Sequence, residues 1–284
     1  MATILSGKEV AATLRAALRE RVNALQKRGV DPTLATVRVG LDAADDSYAR
    51  AIEKSCAAVG IRLNPHILPG DCGQVALETT LRELDADSGV HGILLFRPLP
   101  KGFDEAAAAA CVRLEKDVDC MTPASLAGLY LGADTGFPPC TPAACMRILS
   151  HYGVDPAGRH AVVIGRSAVV GRPLATLLLR ANATVTVCHS RTQALQDICR
   201  TADILIAALG RERFVTADFV KPGAVVLDVG INWDDKDNRL RGDVDFDAVE
   251  PIVGAITPVP GGIGSVTTSV LVSHVIDAAK RTLA

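Results

Sequence analysis

A glycine-rich segment between a predicted strand and a predicted helix has the residue types of a phosphate-binding turn. The run Gly165-Arg166-Ser167 follows the apolar residues 161–164, and Gly171 comes four residues later, where a proline opens the helix. Backbone amides at the start of a helix point outward, and the helix dipole favours an anion there. Ser167 stands where the regular Gly-x-Gly-x-x-Gly pattern has its second glycine. The segment predicts a dinucleotide site, and the alternative is an ordinary strand-to-helix turn.

The end of the next predicted strand indicates which dinucleotide would bind. Folds that prefer NAD usually carry an acidic residue about twenty residues after the glycine turn, where it contacts the ribose hydroxyls. Here the strand ends in Cys-His-Ser190-Arg191, without an acidic residue. A serine and an arginine suit the 2′-phosphate of NADP, and Arg166 lies in the neighbouring turn. The pattern predicts NADP as the cofactor, while the alternative for Arg191 is a solvated loop cation.

The elements that position these loops alternate between helical and strand patterns. The first half predicts helices over 8–27, 47–59, 74–84 and 106–110, and strands over 34–39, 61–68 and 90–96. The second half predicts strands over 161–164, 183–187, 203–209, 224–229 and 255–257, and helices over 173–181, 193–200 and 267–283. This order predicts an α/β fold with mostly parallel sheets and helices on their faces. The polar segment 134–141 is a candidate domain boundary, and the charged segment 234–243 is predicted to be a solvated loop.

The composition limits the class of protein. The 284 residues, 49% hydrophobic and 22% charged, fit one large or two medium soluble domains rather than a disordered chain. Thirty basic and 32 acidic residues give a net charge of −2, which excludes a broad basic surface and argues against nucleic-acid binding. The longest uncharged stretch, 251–276, contains three prolines and four glycines, so we expect no membrane span there.

The cysteines and histidines give no sign of a metal site. Eight cysteines and six histidines show neither a Cys-x-x-Cys pair nor another metal-ligand spacing. No apolar signal sequence precedes Lys8 and Glu9. We therefore expect small buried thiols, no metal and a reducing, cytoplasmic location.

Further motifs occur in a fixed order over almost the whole chain. They are Val39-Gly40, Ser47-Tyr48, Lys54-Ser55-Cys56, Val59-Gly60-Ile61, Gly92-Ile93-Leu94, Pro98-Leu99-Pro100, Lys116-Asp117-Val118-Asp119, Gly165-Arg166-Ser167, Val170-Gly171, His189-Ser190, Asp228-Val229-Gly230-Ile231-Asn232 and 257–264, Thr-Pro-Val-Pro-Gly-Gly-Ile-Gly. Together they resemble the methylenetetrahydrofolate dehydrogenase/methenyltetrahydrofolate cyclohydrolase family. The resemblance implies two α/β domains flanking a cleft. Residues 1–138, completed by the C-terminal helix 267–284, would form a folate-binding catalytic domain, and residues 139–266 a Rossmann-like NADP-binding domain.

The resemblance also implies an activity. The enzyme would oxidise methylenetetrahydrofolate to methenyltetrahydrofolate with NADP, in one-carbon metabolism, and then hydrolyse the product to formyltetrahydrofolate. Hydride transfer mostly needs alignment of the two reactants, whereas hydrolysis needs proton transfer. The expected partners are tetrahydrofolate derivatives, with neither nucleic acid nor membrane, and a second copy of the chain in a homodimer.

The resemblance assigns roles to individual residues. Tyr48 would stack on the aminobenzoyl ring of folate, Lys54 would be the catalytic lysine, and Asp119 would hold the donor nitrogens of the pterin. Pro260 and Gly262 would line the folate site, and Phe96 would be a further substrate-binding residue. The dinucleotide would contact Gly165, Arg166, Ser167, Ser190, Arg191 and Ile231.

Each of these residues also has a plainer explanation. Lys54 comes six residues after Tyr48, about 240° around a regular helix, so the two share a face only if Tyr48 lies at the helix start. Most lysines on helices are solvated, and Lys54 could transfer protons only if burial or nearby positive charge lowered its pKa. Asp117 and Asp119 could form a solvated acidic turn, and the Pro-Gly-Gly segment could be only a turn.

The chain departs from the family pattern near the predicted catalytic lysine. Phe96 replaces a glutamine that hydrogen-bonds in this region, and the adjacent Arg97 could swing in near the proline bend and lower the pKa of Lys54. Two other segments differ: Cys120-Met121-Thr122 replaces Gly-Phe-His, and Ser265-Val266 replaces Pro-Met. Phe96 either weakens the cyclohydrolase or is a tolerated exchange.

Three alternative functions remain open at the level of the sequence. The first is a monofunctional methylenetetrahydrofolate dehydrogenase. The second is an NADP-dependent dehydrogenase that acts on a keto or amino acid. The third is a non-catalytic NADP-sensing protein on the same fold.

Overall fold

The computed structural model describes residues 1–133, 135–234 and 237–283. The chain forms two compact units. The three-stranded unit comprises Thr13–Cys140 and Thr268–Ala284, and the six-stranded unit comprises Met1–Ala12 and Thr141–Thr267. The chain thus passes from one unit to the other inside the 134–141 segment, of which residue 134 lies outside the described residues.

The strands, in chain order, are β1 Thr3–Ile4, β2 Thr33–Val39, β3 Arg62–Leu68, β4 Gly92–Leu95, β5 His160–Ile164, β6 Thr184–Cys188, β7 Ile204–Ala207, β8 Val225–Asp228, β9 Asn232–Asp234, β10 Arg239–Arg241 and β11 Ala255–Ile256. The α-helices are α1 Gly7–Gln26, α2 Ala43–Val59, α3 Gly73–Ala86, α4 Glu105–Ala109, α5 Pro123–Leu131, α6 Cys140–His151, α7 Gly171–Arg180, α8 Leu195–Arg200, α9 Phe246–Val249 and α10 Gly264–Arg281. This is the predicted α/β fold, although the sequence patterns did not predict β1, α5, α6 or α9.

The three-stranded unit is built on a parallel sheet with the order β3-β2-β4. β2 pairs with both neighbours, with Leu34 opposite Leu63 on one side and Gly92 on the other. Leu77 and Leu81 of α3 are fully buried in the same core as the inner residues of this sheet. Both faces of β2 are covered, since every residue of the strand except the half-buried Arg38 is buried.

The six-stranded unit contains a parallel sheet with the order β1-β11-β8-β7-β5-β6. The strands β7 and β8 are buried along their whole length. The strand β5 has β6 on one side and β7 on the other, so the winding of the chain reverses beside β5. Such a reversal opens a crevice at the carboxyl ends of the strands, which is where dinucleotides bind in this kind of sheet.

The prediction of a solvated loop over 234–243 is wrong for the residues that the structure describes. β9 and β10 form an antiparallel pair in which Trp233 lies opposite Leu240. Arg241 bridges the two strands with an ion pair of 3.2 Å to Asp234. The high density of charge in this segment concealed the alternation of a short hairpin. Residues 235 and 236 lie outside the described part of the chain.

Helix α2 begins earlier than predicted, at Ala43 rather than Ser47. Its first turn carries Asp45 and Asp46, and acidic side chains at a helix N-terminus are stabilised by the helix dipole. Tyr48 therefore lies inside the helix and not at its start. Tyr48 and Lys54 therefore both lie within the helix, about 240° apart around its axis.

The chemistry of the cysteines agrees with the sequence prediction. All eight are free thiols, six of them buried, and Cys72 and Cys111 are half-buried. Within the described ranges, no group of three or more His, Cys, Asp or Glu side chains is arranged to hold a metal ion. None of the described helices combines the length and the apolar character needed to cross a bilayer.

Candidate active site

The predicted dinucleotide turn lies at the carboxyl edge of the six-stranded sheet, between β5 and α7. Gly165 has a φ of 125°, and a Cβ atom there would lie 2.1 Å from the carbonyl oxygen of Ala208. A Cβ atom on Gly171 would lie 2.1 Å from the carbonyl oxygen of Gly165. Only glycine permits these approaches, so the two glycines bring backbone into the crevice beside β5, where it can meet a phosphate.

Ser167 has a structural role in the same turn. Its Oγ accepts hydrogen bonds from the N–H groups of Val170 at 3.0 Å and Gly171 at 3.3 Å. It therefore satisfies amide donors at the start of α7, as capping hydroxyls commonly do. This explains why a serine stands at the position of the second glycine. Arg166 is exposed, and its carbonyl oxygen accepts from Nε of Arg172 at 3.0 Å.

The loop after β6 lies beside this turn. The backbone N–H of Gly165 donates to the carbonyl oxygen of Cys188 at 2.9 Å. The loop is closed by Thr192, whose Oγ1 accepts from the N–H of His189 at 2.8 Å. The side chains of Ser190 and Arg191 are exposed. The structure thus brings the turn and these two side chains together at one sheet edge.

A buried aspartate that the sequence reasoning missed organises the remaining loops at this edge. The carboxylate of Asp243 accepts from the backbone N–H groups of Leu209 at 2.5 Å, Gly210 at 2.9 Å and Arg211 at 2.8 Å. It also accepts from Nδ2 of Asn232 at 3.0 Å. Asp243 therefore fixes the loop after β7 to the segment after β8. Its position in the charged stretch, predicted as a loop, concealed this role.

Asp228, at the end of β8, forms a second buried carboxylate site. It accepts from the N–H groups of Gly230, Asp243 and Val244, each at 2.9 Å. Burial nevertheless raises the pKa of Asp228 to about 6, with the charge of Asp243 adding to the effect. Ile231 follows this site and is exposed, so it lies on the same edge as the glycine turn.

The Pro-Gly-Gly segment forms a tight turn after β11 in the six-stranded unit. The N–H of Gly7 donates to the carbonyl oxygen of Gly261 at 2.8 Å. A Cβ atom on Gly262 would lie 2.4 Å from the carbonyl oxygen of Pro258. These contacts require glycine at 262 for local reasons alone. The lining of a folate site by Pro260 and Gly262 stays a prediction.

In the three-stranded unit, Tyr48 and Phe96 pack against each other. Their ring centroids are 5.5 Å apart at an interplanar angle of 59°. Phe96 is buried, whereas Tyr48 is half-buried. Burial raises the pKa of the Tyr48 phenol well above its usual value, and Cys140 and Asp119 add to the shift. Tyr48 is therefore neutral at physiological pH and presents an aromatic face and a hydroxyl group.

Asp119 lies in the same cluster and has two partners. Its Oδ1 accepts from the backbone N–H of Cys140 at 3.0 Å, and its Oδ2 lies 4.0 Å from Nη2 of Arg97. Burial raises the pKa of Asp119, while the hydrogen bonds from Cys140 and the charge of Arg97 oppose that rise. Cys140 is 21 residues away along the chain, so no local pattern could have revealed this contact.

The predicted alternative of a solvated acidic turn is wrong for Asp117, which is fully buried. Its carboxylate accepts from the N–H groups of Met121 and Thr122, both at 2.9 Å, and from Oγ of Ser125 at 2.5 Å. Asp117 thus fixes the loop that carries Asp119. The two acidic residues on either side of Val118 therefore have different roles: Asp117 is buried within the loop, and Asp119 is half-buried.

Lys116 anchors the other side of this loop. Its Nζ donates to the carbonyl oxygens of Leu84 at 3.3 Å, Asp85 at 2.7 Å and Asp87 at 2.6 Å. These carbonyls lie at the C-terminal end of α3, where a cation is favoured. The Lys-Asp-Val-Asp motif is therefore held by its first two residues and presents its last one.

The catalytic role of Lys54 stays a prediction. Lys54 is exposed, and because α2 begins at Ala43 the angle of about 240° between Tyr48 and Lys54 applies. The residue one turn after Tyr48 is Ile52, which is buried. Of the predicted residues in this unit, Tyr48, Phe96 and Asp119 come together, and Arg97 and Cys140 join them.

Comparison with known families accounts for both units. The profile described as tetrahydrofolate dehydrogenase/cyclohydrolase, catalytic domain, matches residues 5–119. The profile described as tetrahydrofolate dehydrogenase/cyclohydrolase, NAD(P)-binding domain, matches residues 139–283. Together they cover most of the chain.

Individual relatives match over their full length. The bifunctional protein FolD of Carboxydothermus hydrogenoformans is 50% identical, covering 98% of this chain and 97% of its own. The crystal structure of the bifunctional enzyme FolD, a methylenetetrahydrofolate dehydrogenase/cyclohydrolase from Campylobacter jejuni, superposes with a TM-score of 0.97 at 38% identity, over 99% of this chain and 100% of that one. The N5,N10-methylenetetrahydrofolate dehydrogenase-cyclohydrolase of Trypanosoma brucei, solved with NADP cofactor and an inhibitor, superposes with a TM-score of 0.94 at 36% identity. The match covers 99% of this chain and 98% of that one.

Proposed function

The chain belongs to the tetrahydrofolate dehydrogenase/cyclohydrolase family, and we propose that it catalyses both reactions of that name. It oxidises methylenetetrahydrofolate to methenyltetrahydrofolate with NADP and hydrolyses the product to formyltetrahydrofolate. The observation that supports this most strongly is that the catalytic and NAD(P)-binding profiles match successive segments of one chain. Relatives that match at about half identity over full length are bifunctional proteins.

The residues at the carboxyl edge of the six-stranded sheet fit NADP. The Gly165–Ser167 turn offers backbone that can approach a pyrophosphate closely, because a Cβ atom at Gly165 would collide with the carbonyl oxygen of Ala208. Ser190 and Arg191, exposed beside it, suit a 2′-phosphate through a hydroxyl and a guanidinium group. Arg166 and Ile231 complete the proposed contacts. When bound, NADP supplies the acceptor for a hydride.

The cluster in the three-stranded unit suits the folate. The ring of Tyr48, supported by Phe96, offers a surface for stacking on the aminobenzoyl group. The carboxylate of Asp119 accepts hydrogen bonds from the pterin. The dehydrogenase step needs alignment above all, since the adjacent nitrogen lone pair assists loss of the hydride. Pro260 and Gly262, in the six-stranded unit, are proposed as further folate contacts.

The alternatives are less well supported. The full-length relatives are bifunctional, which favours retention of the cyclohydrolase over a monofunctional dehydrogenase, in spite of Phe96. A dehydrogenase for keto or amino acids has no counterpart among the matched profiles. A non-catalytic NADP sensor would not need the buried anchoring of the Asp119 loop by Lys116 and Asp117.

We also propose a cytoplasmic homodimer. Eight free cysteines suit a reducing compartment. The strand β6 is the last strand of its sheet, and Leu179 and Val187 on α7 and β6 are exposed apolar side chains. An edge strand with apolar neighbours is a surface that a second copy can cover. Light scattering on the purified protein measures the mass of the assembly.

A time course tests the proposed function. Purified protein receives methylenetetrahydrofolate and NADP, and the absorbances of the reduced cofactor and of methenyltetrahydrofolate are followed together. We expect the concentration of reduced cofactor to rise. Methenyltetrahydrofolate should be consumed faster than it decays in buffer alone. If methenyltetrahydrofolate instead accumulates and disappears only as slowly as it does in buffer without enzyme, the proposed cyclohydrolase activity is contradicted. Absence of cofactor reduction would contradict the proposal as a whole.

A further inference from the structure

The helix α10 lies beside the loop that carries Asp119. From residue 268 onward this helix belongs to the three-stranded unit. A Cβ atom on Gly92 of β4 would lie 2.7 Å from the side chain of Val118 and 3.0 Å from that of Val275 on α10. Asp117, next to Val118, forms a parallel bridge with β4. The segment that leads into Asp119 is therefore packed against β4 and adjoins α10.

His274 of α10 contacts this segment directly. The side chain is buried, and its Nδ1 lies 2.9 Å from the carbonyl oxygen of Val118. A carbonyl oxygen can only accept a hydrogen bond, so Nδ1 carries the proton and donates. The carbonyl belongs to the same planar peptide group as the N–H of Asp119. His274 therefore fixes the peptide plane from which the Asp119 side chain departs.

A second contact of His274 is the residue that holds the Asp119 carboxylate. Sγ of Cys140 lies 3.8 Å from Nδ1 of His274 and donates to the carbonyl oxygen of Val118 at 3.5 Å. The backbone N–H of Cys140 donates to Oδ1 of Asp119 at 3.0 Å. Burial raises the pKa of the Cys140 thiol well above its usual value, so the sulfur keeps its proton. His274 thus touches both the peptide group before Asp119 and the donor to its carboxylate.

The ring of His274 is held in turn by an aromatic stack. It packs on the ring of Phe137 with 5.0 Å between the centroids and 28° between the planes. The guanidinium of Arg281 lies 4.4 Å from the centroid of Phe137, and its Nη2 donates to the carbonyl oxygen of Gly136 at 3.4 Å. His274 and Arg281 are two turns apart on one face of α10. This face therefore binds the segment that leads to Cys140.

We propose that His274 is a positioning residue of the folate site, and that it directs the Asp119 carboxylate toward the pterin. It does so by holding the Val118 carbonyl and the Cys140 thiol, between which Asp119 is fixed. The inference rests on the proposed function, because that function assigns Asp119 to the folate. His274 acts on the folate through Asp119, so its loss weakens folate binding in both reactions. NADP binding, with its proposed contacts in the six-stranded unit, is not affected.

Two variants of His274 separate the hydrogen bond from the packing of the ring. His274→Phe keeps a ring against Phe137 and removes the N–H donor. His274→Gln keeps an N–H donor and removes the ring. His151→Phe, at an exposed histidine of the six-stranded unit, is the matched control. The readouts are kcat and KM for both reactions, the Kd of NADP, and the Kd of tetrahydrofolate in saturating NADP from titration calorimetry.

We expect His274→Phe to raise the Kd of tetrahydrofolate and both folate KM values about three- to tenfold, the typical weight of one hydrogen bond. The value of kcat should change less than KM, because no reacting group is lost. The Kd of NADP should stay within about twofold, as in His151→Phe. His274→Gln should recover most of the loss. Unchanged tetrahydrofolate binding in His274→Phe, or a larger loss in His274→Gln than in His274→Phe, would overturn the proposal.

Nitrogen NMR of the His274 imidazole tests the same contact in the wild type, without a variant that has to fold. The two ring nitrogens have distinct signals, which report which of them carries a proton. We expect a proton on Nδ1, as donation to the Val118 carbonyl requires. An unprotonated Nδ1 would contradict the hydrogen bond and the proposal with it.

A double-mutant cycle tests the route through Asp119. Adding His274→Phe to Asp119→Asn should weaken tetrahydrofolate binding little beyond Asp119→Asn alone, and additive losses would contradict that route. If the wild type binds no tetrahydrofolate, the proposed function fails and the inference with it. If the wild type binds tetrahydrofolate and His274→Phe binds it equally well, only the role of His274 fails.

Discussion

At the scale of single residues, we expect Arg191 to determine the preference for NADP over NAD. Its side chain is exposed beside the Gly165 turn, with no carboxylate in the loop to bind ribose hydroxyls. We predict that Arg191→Ala lowers kcat/KM for NADP about tenfold or more and changes kcat/KM for NAD little, because only NADP presents a 2′-phosphate. Arg180→Ala, at the far end of α7, is the control. Equal losses with both cofactors would show that Arg191 does not contact the 2′-phosphate.

The sequence predicts some residues of the site better than others, for physical reasons. Gly165, Ser167 and Arg191 belong to a local strand-turn-helix pattern, so their neighbours in space are also near in sequence. Arg97, Asp119 and Cys140 meet only in the tertiary structure. The sequence analysis placed Arg97 beside Phe96, as a cation that could act on Lys54, but could not identify Asp119 as its partner.

At the scale of elements, Lys116 links the C-terminal end of α3 to the Asp119 loop. Its ammonium group is buried and donates to three carbonyl oxygens, the shortest bond being 2.6 Å. We predict that Lys116→Met lowers the free energy of unfolding by about 2–3 kcal/mol, because these buried acceptors lose their donor. Urea unfolding measures this loss, with the exposed Lys27→Met as the control. A loss no larger than that of Lys27→Met would mean that water replaces the ammonium group.

The start of α2 shows how a small error in one element changes the interpretation of a site. A helix that starts at Ser47 would place Tyr48 in its first turn, free to turn toward Lys54. The observed start at Ala43 fixes Tyr48 in the helix interior. Asp45 and Asp46 favour that earlier start, because acidic side chains are stabilised at a helix N-terminus. The segment lacks periodic apolar residues, so its hydrophobic pattern does not predict a helix.

We expect the stability of the fold to depend on pH through Asp228, which binds the loops at the carboxyl edge of the sheet. Its pKa is about 6 in the fold against 3.8 for the free side chain. A raised pKa stabilises the fold below pH 3.8, and this contribution is lost as the pH rises through about 6. We predict that the stability difference between wild type and Asp228→Asn moves against the wild type between about pH 4 and pH 7. Thermal unfolding at a series of pH values measures it, and a difference that is independent of pH would contradict the assignment.

At the scale of the whole molecule, two units with separate cores divide the binding tasks. The proposed NADP contacts all lie in the six-stranded unit, on loops after β5, β6 and β8. Tyr48, Phe96, Arg97 and Asp119 all lie in the three-stranded unit. The proposed folate residues Pro260 and Gly262 are the exception, since they belong to the six-stranded unit. A ligand should therefore leave a distinct pattern of protection in each unit.

Hydrogen exchange measures that pattern directly. We predict that NADP slows amide exchange in residues 165–171 and 189–192, because a bound ligand suppresses the local opening of the loops that hold it. Tetrahydrofolate should instead slow exchange in residues 117–122 and 258–262. In Arg191→Ala, NADP at a concentration near the wild-type Kd should no longer protect residues 165–171 and 189–192. Tetrahydrofolate should still protect residues 117–122 and 258–262 in this variant. If NADP alone protected residues 117–122, or if tetrahydrofolate left residues 258–262 unchanged, the division of contacts between the two units would have to be redrawn.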